Sequence, residues 1–325
     1  MSRFTQMLAT GYSVSINAAE EASRFGVPAV DIEHVLLALA IDEGTAGQVL
    51  RRAGITLDAA RRAVEERHRD HLASIGVRAE LPGDGRIRFL EQGGLDWTDR
   101  ALNLISRAGG KHTSSDATAV LRELLGEPSG TVGELLARLG TSAGEVRAQL
   151  DEAASIRAHD APPARRLGRS HTVFVPSPIG EVWALVSTAA RLPEWDLTLA
   201  SVVADGDAWV GIAPTTRPDG KPLKVHVGTT RQIIERISAA NHRVEWLFTF
   251  PDAVGANQRS VIVSLEESAG GAQVTVDFAW IRGSGPRGLR RVIAPLARFV
   301  ARPAVRIALW FQVVNLASGI SRAMR

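Results

Sequence analysis

Two periodicities divide the chain. Up to about residue 158 the apolar positions recur at helical spacing: Ala18, Ala22 and Phe25, then Val35, Leu36, Leu39 and Ala40. Such spacing puts each set on one face of an α-helix. Asp31 stands where a helix N-cap is expected, and Gly54, Gly126 and Gly140 stand where helices should stop. Strand-like alternation is absent from this half. Beyond it the period changes to two: HTVFV, KVHVGTTRQIIERI, RVEWLFTF, RSVIVSLEE and AQVTVDFAWI are successive strand candidates. Turn residues such as Pro218-Asp219-Gly220 and Gly270-Gly271 part them. A long helical stretch from about Gly288 to Met324, interrupted by Pro295 and Pro303, closes the chain.

The stretch SIRAHDAPPARRLGR, with two prolines and alternating charge, is expected to be a linker. The resulting architecture is an all-α double-repeat helical domain over residues 1–154, a linker over 155–169, and an α+β domain over 170–325. In the second domain Val244, Trp246, Phe248 and Phe250 share one strand face, and Val274, Val276, Phe278 and Trp280 share another. An antiparallel sheet with one apolar face needs a cover, and the terminal helix is long and apolar enough to supply it. A sheet curled around that helix, carrying large aromatics, leaves a cavity. Trp195, Trp246, Phe248, Phe278 and Trp280 are the candidates to line it or to fill the core around it. The inward register holds mainly Val, Trp and Phe, and no catalytic residue is assigned.

The helical half repeats itself. Residues 31–66 return, degenerate, as residues 116–152: Val35-Leu36 and Leu39 meet Val120-Leu121 and Leu124. After one inserted residue, Val49-Leu50, Gly54 and Arg61 meet Leu135-Leu136, Gly140 and Arg147. One such unit cannot cover its own apolar face, so two copies packed together are expected.

Those residues carry a resemblance. Arg3-Phe4-Thr5, Glu20-Glu21-Ala22 and above all Ile32-Glu33-His34-Val35-Leu36-Leu37-Ala38-Leu39, followed by Gly44 and Val49-Leu50-Arg51-Arg52-Ala53-Gly54, resemble the N-terminal domain of Clp chaperone ATPases. In that family the domain docks substrates or adaptor proteins, and some members hold phosphorylated arginine. The resemblance implies that Thr5 and Glu33 line the first such site. The second repeat keeps a threonine at Trp97-Thr98 but has Thr118 and Ala119 where the Glu-His pair should stand, and its first helix is trimmed. Only the first site is therefore expected to be intact. A plainer role for Glu33 and His34 is capping and dipole complementation at a helix N-terminus. No G-x-x-x-x-G-K-[ST] phosphate loop occurs in these residues, so no ATP hydrolysis is expected.

The second half resembles the START-like (SRPBCC) superfamily, which includes polyketide cyclases and lipid carriers. The likeness rests on Val175-Pro176-Ser177-Pro178, Glu181-Val182-Trp183-Ala184-Leu185-Val186 and Leu192-Pro193-Glu194-Trp195-Asp196, and on the order strand, helix, short helix, strands, long helix. It implies a helix-grip fold with an apolar pocket that takes a lipid-like or polyketide-like molecule. Some members of the superfamily catalyse cyclisation or dehydration.

Composition and charge narrow the chemistry. With no cysteine, disulfides, thiolate metal sites and cysteine nucleophiles are excluded, and a reducing cytoplasm is the expected compartment. The first 26 residues lack the apolar core and cleavage site of a signal peptide. Eight histidines are scattered without metal-ligand spacing, and neither His226 nor His242 has a carboxylate spaced to form a dyad. Neither a metal nor a cofactor is expected.

The net charge of +3 hides an asymmetry. Residues 1–160 hold 18 basic and 23 acidic side chains; residues 161–325 hold 20 and 12. From Arg282 to Arg325 there are nine arginines and no acid. Arg287, Arg291, Arg298, Arg302 and Arg306 fall roughly along one helical stripe, which suits either the outer face of an intramolecular lid or contact with an anionic membrane surface. Nucleic acid is the weaker partner, because the arginines alternate with aliphatics of the buried type rather than exposed aromatics. The leading expectation is a non-ATPase adaptor that binds a Clp-system protein or peptide and an apolar small molecule. The alternative is a polyketide cyclase or dehydrase with a Clp-like appendage.

Overall fold

In the computed structural model the chain divides into two compact units, Met1–Asp160 and Ala161–Arg325. The residues described are 3–78, 83, 85–92, 95–109, 117–155, 168–223, 228–253, 256–281 and 294–325. The expected linker lies almost wholly outside them.

The first unit is helical: α1 (Arg3–Phe25), α2 (Ile32–Ala40), α3 (Thr45–Arg52), α4 (Leu57–Ser74), α5 (Phe89–Gln92), α6 (Asp99–Ala108), α7 (Ala117–Leu125), α8 (Thr131–Arg138) and α9 (Ala143–Ser155). Helical periodicity predicts its core directly, for Ala18, Ala22, Phe25, Val35, Leu36 and Leu39 are all buried. The internal repeat is physical as well as textual. Val49 and Leu50 in one copy and Leu135 and Leu136 in the other are all buried.

Both copies end their short helix in the same way. Gly54 and Gly140 take left-handed φ values of 80° and 77°. Ile55 N then donates to Leu50 O at 2.9 Å, and Thr141 N to Leu136 O at 3.0 Å. This is the reverse turn that glycine makes cheap, and it closes the orphan carbonyls of α3 and α8. The first helix of the second copy is short, with α6 at 10 residues against 23 for α1. One feature is invisible to periodicity. Ala29–Val30 (β1) and Asp96–Trp97 (β2) pair in parallel, each two residues long and too brief for alternation to register.

The second unit runs β3 (Gly168–Val175), α10 (Ile179–Ser187), a 3-10 turn (Ala189–Arg191), α11 (Leu192–Trp195), β4 (Ser201–Asp205), β5 (Ala208–Ile212), β6 (Arg231–Ala240), β7 (Arg243–Thr249), β8 (Gln258–Ser268), β9 (Gly271–Ile281) and α12 (Ala294–Ala323). Its strands form one antiparallel sheet in the order β3-β9-β8-β7-β6-β5-β4. The α+β helix-grip arrangement is therefore present, with α12 packed on β3, β9 and α11.

Two strands, β4 and β5, fall outside the candidates taken from alternation. They are short, and β4 is mostly exposed, so little apolar pattern marks it. Proline is also a weaker breaker than the sequence suggests: α12 runs unbroken from Ala294 through Pro303. Pro295 falls in its first turn, where the missing N–H costs nothing, and Pro303 removes one bond from a helix anchored by Leu309, Val313, Val314, Ala317 and Ile320 in the core.

Candidate functional site

In the first unit, the entry to α2 gathers the residues that the sequence singles out. Asp31 is the N-cap: its Oδ1 accepts from Ile32 N at 2.8 Å. The same carboxylate accepts from Thr98 Oγ1 at 2.8 Å and from Arg100 Nε at 2.6 Å, with a second bond from Arg100 Nη2. Burial works upward on this carboxyl, but the bonds from Arg100, Thr98 and the Ile32 amide outweigh it and hold Asp31 below its ordinary value.

His34 completes the capping box by accepting from Asp31 N on its Nδ1, at 3.0 Å. Only an unprotonated Nδ1 can accept. Burial pushes the same way, holding His34 below its usual range despite the nearby carboxylates of Glu33 and Asp31. Capping is thus a role the structure gives His34.

Glu33 is different. Its Oε2 is buried without a hydrogen-bond partner, and Arg100 Nη2 approaches it only to 3.8 Å. It lines a recess of about 210 Å³ with Phe25, His34, Val64, Arg67 and Thr98. Thr5 lies on α1, and its side chain is outside the described residues. In the second copy Thr118 stands at the position of Glu33, and Ala119, buried, at that of His34, so neither the carboxylate nor the imidazole is repeated there.

The second unit holds a cavity of about 390 Å³ between the sheet and α12, whose contribution is Gln312. Leu197, Ala213, Leu223, Phe250, Phe278 and Trp280 give it an apolar wall. Of the five aromatics proposed from sequence, Phe278 and Trp280 line this space, with their rings 6.2 Å apart and edge to face. Trp195, Trp246 and Phe248 are fully buried beside it and do not line it. Trp246 Nε1 donates to Val186 O at 3.0 Å, tying β7 to α10.

Sequence reasoning misses the polar part of the wall. Arg259, Gln232 and Thr198 converge on the cavity. Arg259 stands on a sheet rung with Phe248 on one side and Trp280 on the other, and its guanidinium lies 3.8 Å from the centre of the Phe248 ring. Arg259 Nη2 donates to Asp196 Oδ2 at 2.7 Å and its Nη1 to Thr198 Oγ1 at 3.0 Å. Asp196 Oδ1 accepts from Thr198 N at 3.0 Å and from Thr198 Oγ1 at 2.7 Å. Gln232 Nε2 donates to Thr198 O at 3.4 Å.

A signal for this cluster does exist in the text. Arg259 shares the register of Val261, Val263 and Leu265, and Gln232 that of Ile234, so both are polar residues in an apolar period-two pattern. The expectation of an inward face made mainly of Val, Trp and Phe is corrected to that extent.

His242 does not line the cavity. His242 sits in the two-residue β6–β7 turn with φ 56°, edge-on to Trp183 at 5.8 Å; His226 lies outside the described residues. Among the described residues, no three His, Asp or Glu side chains come together as metal ligands. Of the arginine stripe, Arg287 and Arg291 lie outside the described residues, and Arg298, Arg302 and Arg306 fall on α12 where side chains are not described. Among the described residues, no helix is long and apolar enough to cross a membrane.

Comparison with known proteins divides the chain at the same place. Residues 13–80 match the Clp repeat (R) N-terminal domain. Residues 169–317 match the polyketide cyclase / dehydrase and lipid transport family. Among curated proteins, none matches. Among solved structures, the N-terminal domain of the caseinolytic protease associated chaperone ClpD from Arabidopsis thaliana is 21% identical, covers 45% of this chain and 95% of its own, with a TM-score of 0.34. A polyketide-cyclase-like protein from Corynebacterium glutamicum is 18% identical over 50% of this chain and 92% of its own, with a TM-score of 0.29. A Chromobacterium violaceum protein is 14% identical over 48% of this chain and 97% of its own, with a TM-score of 0.30. The first unit thus carries a Clp repeat (R) N-terminal domain, and the second is a domain of the polyketide cyclase / dehydrase and lipid transport type.

Proposed function

We propose that this chain is a non-ATPase adaptor or regulator, whose first unit docks a protein or peptide partner of the Clp system and whose second unit holds a largely apolar small molecule. The observation that carries the reading is the cavity between sheet and α12, apolar over most of its wall, with Thr198, Thr229, Gln232, Arg259 and Gln312 as its polar residues. A space of about 390 Å³ falls within the range of small-molecule sites. Among its described lining residues none is a His, Asp, Glu, Lys or Tyr that could pass a proton at neutral pH, which favours holding a ligand over transforming it. The acidic side chain of Glu33 at this recess supports a cationic feature in the partner of the first unit.

The test is native mass spectrometry of the full chain purified from its own host. A lipid-sized or polyketide-sized adduct that is lost on solvent extraction is the expected result. A chain that carries nothing, and gains no mass from a panel of lipids and aromatic polyketides, would overturn the reading. The convergence of Thr198, Gln232 and Arg259 supports a second reading, cyclase or dehydrase chemistry. Release of a dehydrated or cyclised product from a bound linear polyketide, at more than one turnover per chain, would establish it in place of the first.

A further inference from the structure

The sheet of the second unit ends on an open strand. β4 is last in the order β3-β9-β8-β7-β6-β5-β4 and is paired on one side only, with β5. Ser201, Val203, Ala204 and Asp205 of this strand are all exposed, and Val203 is 64% accessible, although β-branched side chains on a sheet normally pack. A strand edge presents a row of N–H and C=O groups that another strand answers in full. Proteins that keep such an edge to themselves blunt it with proline or lysine. Ser201–Asp205 holds neither.

The register of the sheet says what the edge is shaped to meet. Val203 lies opposite Val210, Val210 opposite Ile233, and Ile233 opposite Thr249. These side chains form one row across the strands, on the face opposite that of Gln232 and the cavity. Val210 and Ile233 are half-buried by their neighbours, whereas Val203, with a neighbour on one side only, is left in solvent. A second β4 laid antiparallel about a two-fold axis through Val203 continues the row without a break, into the second copy's Val210 and Ile233. Val202 then faces Ala204, and Ser201 faces Asp205. Asp205 is the only charge on the strand, and in this register it meets a hydroxyl. The two carboxylates stand about 13 Å apart along the strands, four residues at about 3.4 Å each. Parallel pairing sets them side by side, which is unfavourable.

We propose that β4 is a self-association edge, through which two copies of this chain join their sheets into one antiparallel sheet across a two-fold axis. The contact is isologous, each copy giving and receiving the same backbone bonds. Two strands of five residues bury less than a standard interface, so the dimer is weak and depends on concentration. It does not depend on what the cavity holds.

The test is sedimentation velocity on the full chain from about 1 to 200 μM, the range in which a contact of this size assembles. The natural chain should pass from monomer to dimer across that range. Val203→Lys sets two ammonium groups against each other at the axis and should weaken association about tenfold or more. Its far-UV spectrum and thermal midpoint should stay those of the natural chain, since the side chain it replaces is exposed. The chain has no cysteine, so introduced thiols report the register alone. Under mild oxidation, an equimolar mixture of Ser201→Cys and Asp205→Cys should give the mixed disulfide. Asp205→Cys alone should not crosslink, its thiols lying about 13 Å apart along the strands. Three results would overturn the edge pairing: a chain monomeric throughout, a dimer that Val203→Lys leaves as tight as before, or an Asp205→Cys chain that crosslinks to itself as readily as to Ser201→Cys. The disulfide pair decides the matter even if Val203→Lys does not fold.

Discussion

Arg61 on α4 grips Glu21 on α1 through two bonds of 2.8 Å, Nε to Oε2 and Nη2 to Oε1. Glu21 is fully buried and Arg61 nearly so, which makes this a desolvated pair and not a surface contact. Its two charges stabilise one another in this geometry, and loss of Glu21 leaves Arg61 with the longer 3.5 Å contact to exposed Asp58. Glu21→Ala is expected to lower the unfolding free energy by about 3–5 kcal/mol, read from urea denaturation. Glu21→Leu combined with Arg61→Met should recover most of that loss. A single substitution that costs under about 1 kcal/mol would show the pair to be solvated after all.

A second carboxylate in the first unit has no such partner. Glu43 precedes α3, and its Oε2 is buried without a hydrogen bond. Burial, with the like charge of Asp42 adding to it, pushes the carboxyl up to about 8 from an ordinary 4.5. Between those values the folded chain binds more protons than the unfolded one, so stability falls as pH rises from about 4.5 to about 8. The slope due to this one group reaches at most about 1.4 kcal/mol per pH unit. Urea midpoints taken at steps across that window should fall more steeply for the natural chain than for Glu43→Gln. Parallel curves for the two proteins would show that Glu43 is ionised throughout.

What the sequence exposes and what it hides follow one physical rule. Burial of whole faces is legible, because Ala18, Ala22 and Phe25 or Val244, Trp246 and Phe248 repeat at a fixed period. The Gly54 and Gly140 stops are legible too, since each marks a φ that other residues avoid. Partnership between distant residues is not. Glu21 and Arg61 lie forty positions apart, and Asp196 and Arg259 lie sixty-three. No periodicity joins them. The polar wall of the cavity stands between these cases: Gln232 and Arg259 each break an apolar alternation, which marks them as exceptional without naming their companions. The strands β4 and β5 stay hidden because a short edge pair has little apolar surface to pattern.

Gly319 of α12 sits against the backbone of Trp195. A Cβ there would lie 2.0 Å from Trp195 O, an atom that cannot rotate aside. Gly319→Ala therefore has to push α12 away from α11, and overpacking of this kind costs about 1–3 kcal/mol. Gly180, in α10, has nothing within 4 Å of its Cβ position. Gly180→Ala should be neutral or stabilise by about 0.5–1 kcal/mol, as helix propensity dictates. Thermal unfolding of the two variants should move in opposite directions. A Gly319→Ala protein as stable as the natural one would mean that the closing helix is not held against α11.

Phe278 and Trp280 share one face of β9 and one cavity, yet they should respond differently to truncation. Phe278 is 1% exposed and opposes Val261 across the sheet, so Phe278→Ala removes core and is expected to cost about 3–5 kcal/mol. Trp280 is only half-buried and lies at the end of the strand, beside Arg259 on β8. Its ring is less committed to the core, so Trp280→Ala should cost stability about 1–2 kcal/mol at most. The same change strips aromatic surface from the cavity wall, and affinity for 2-methoxynaphthalene should drop about tenfold. Denaturation curves and calorimetric titrations on both variants separate packing from binding. If Trp280→Ala binds the ether as well as the natural chain does, the apolar grip lies deeper in the cavity, and Phe250 is the next side chain to truncate.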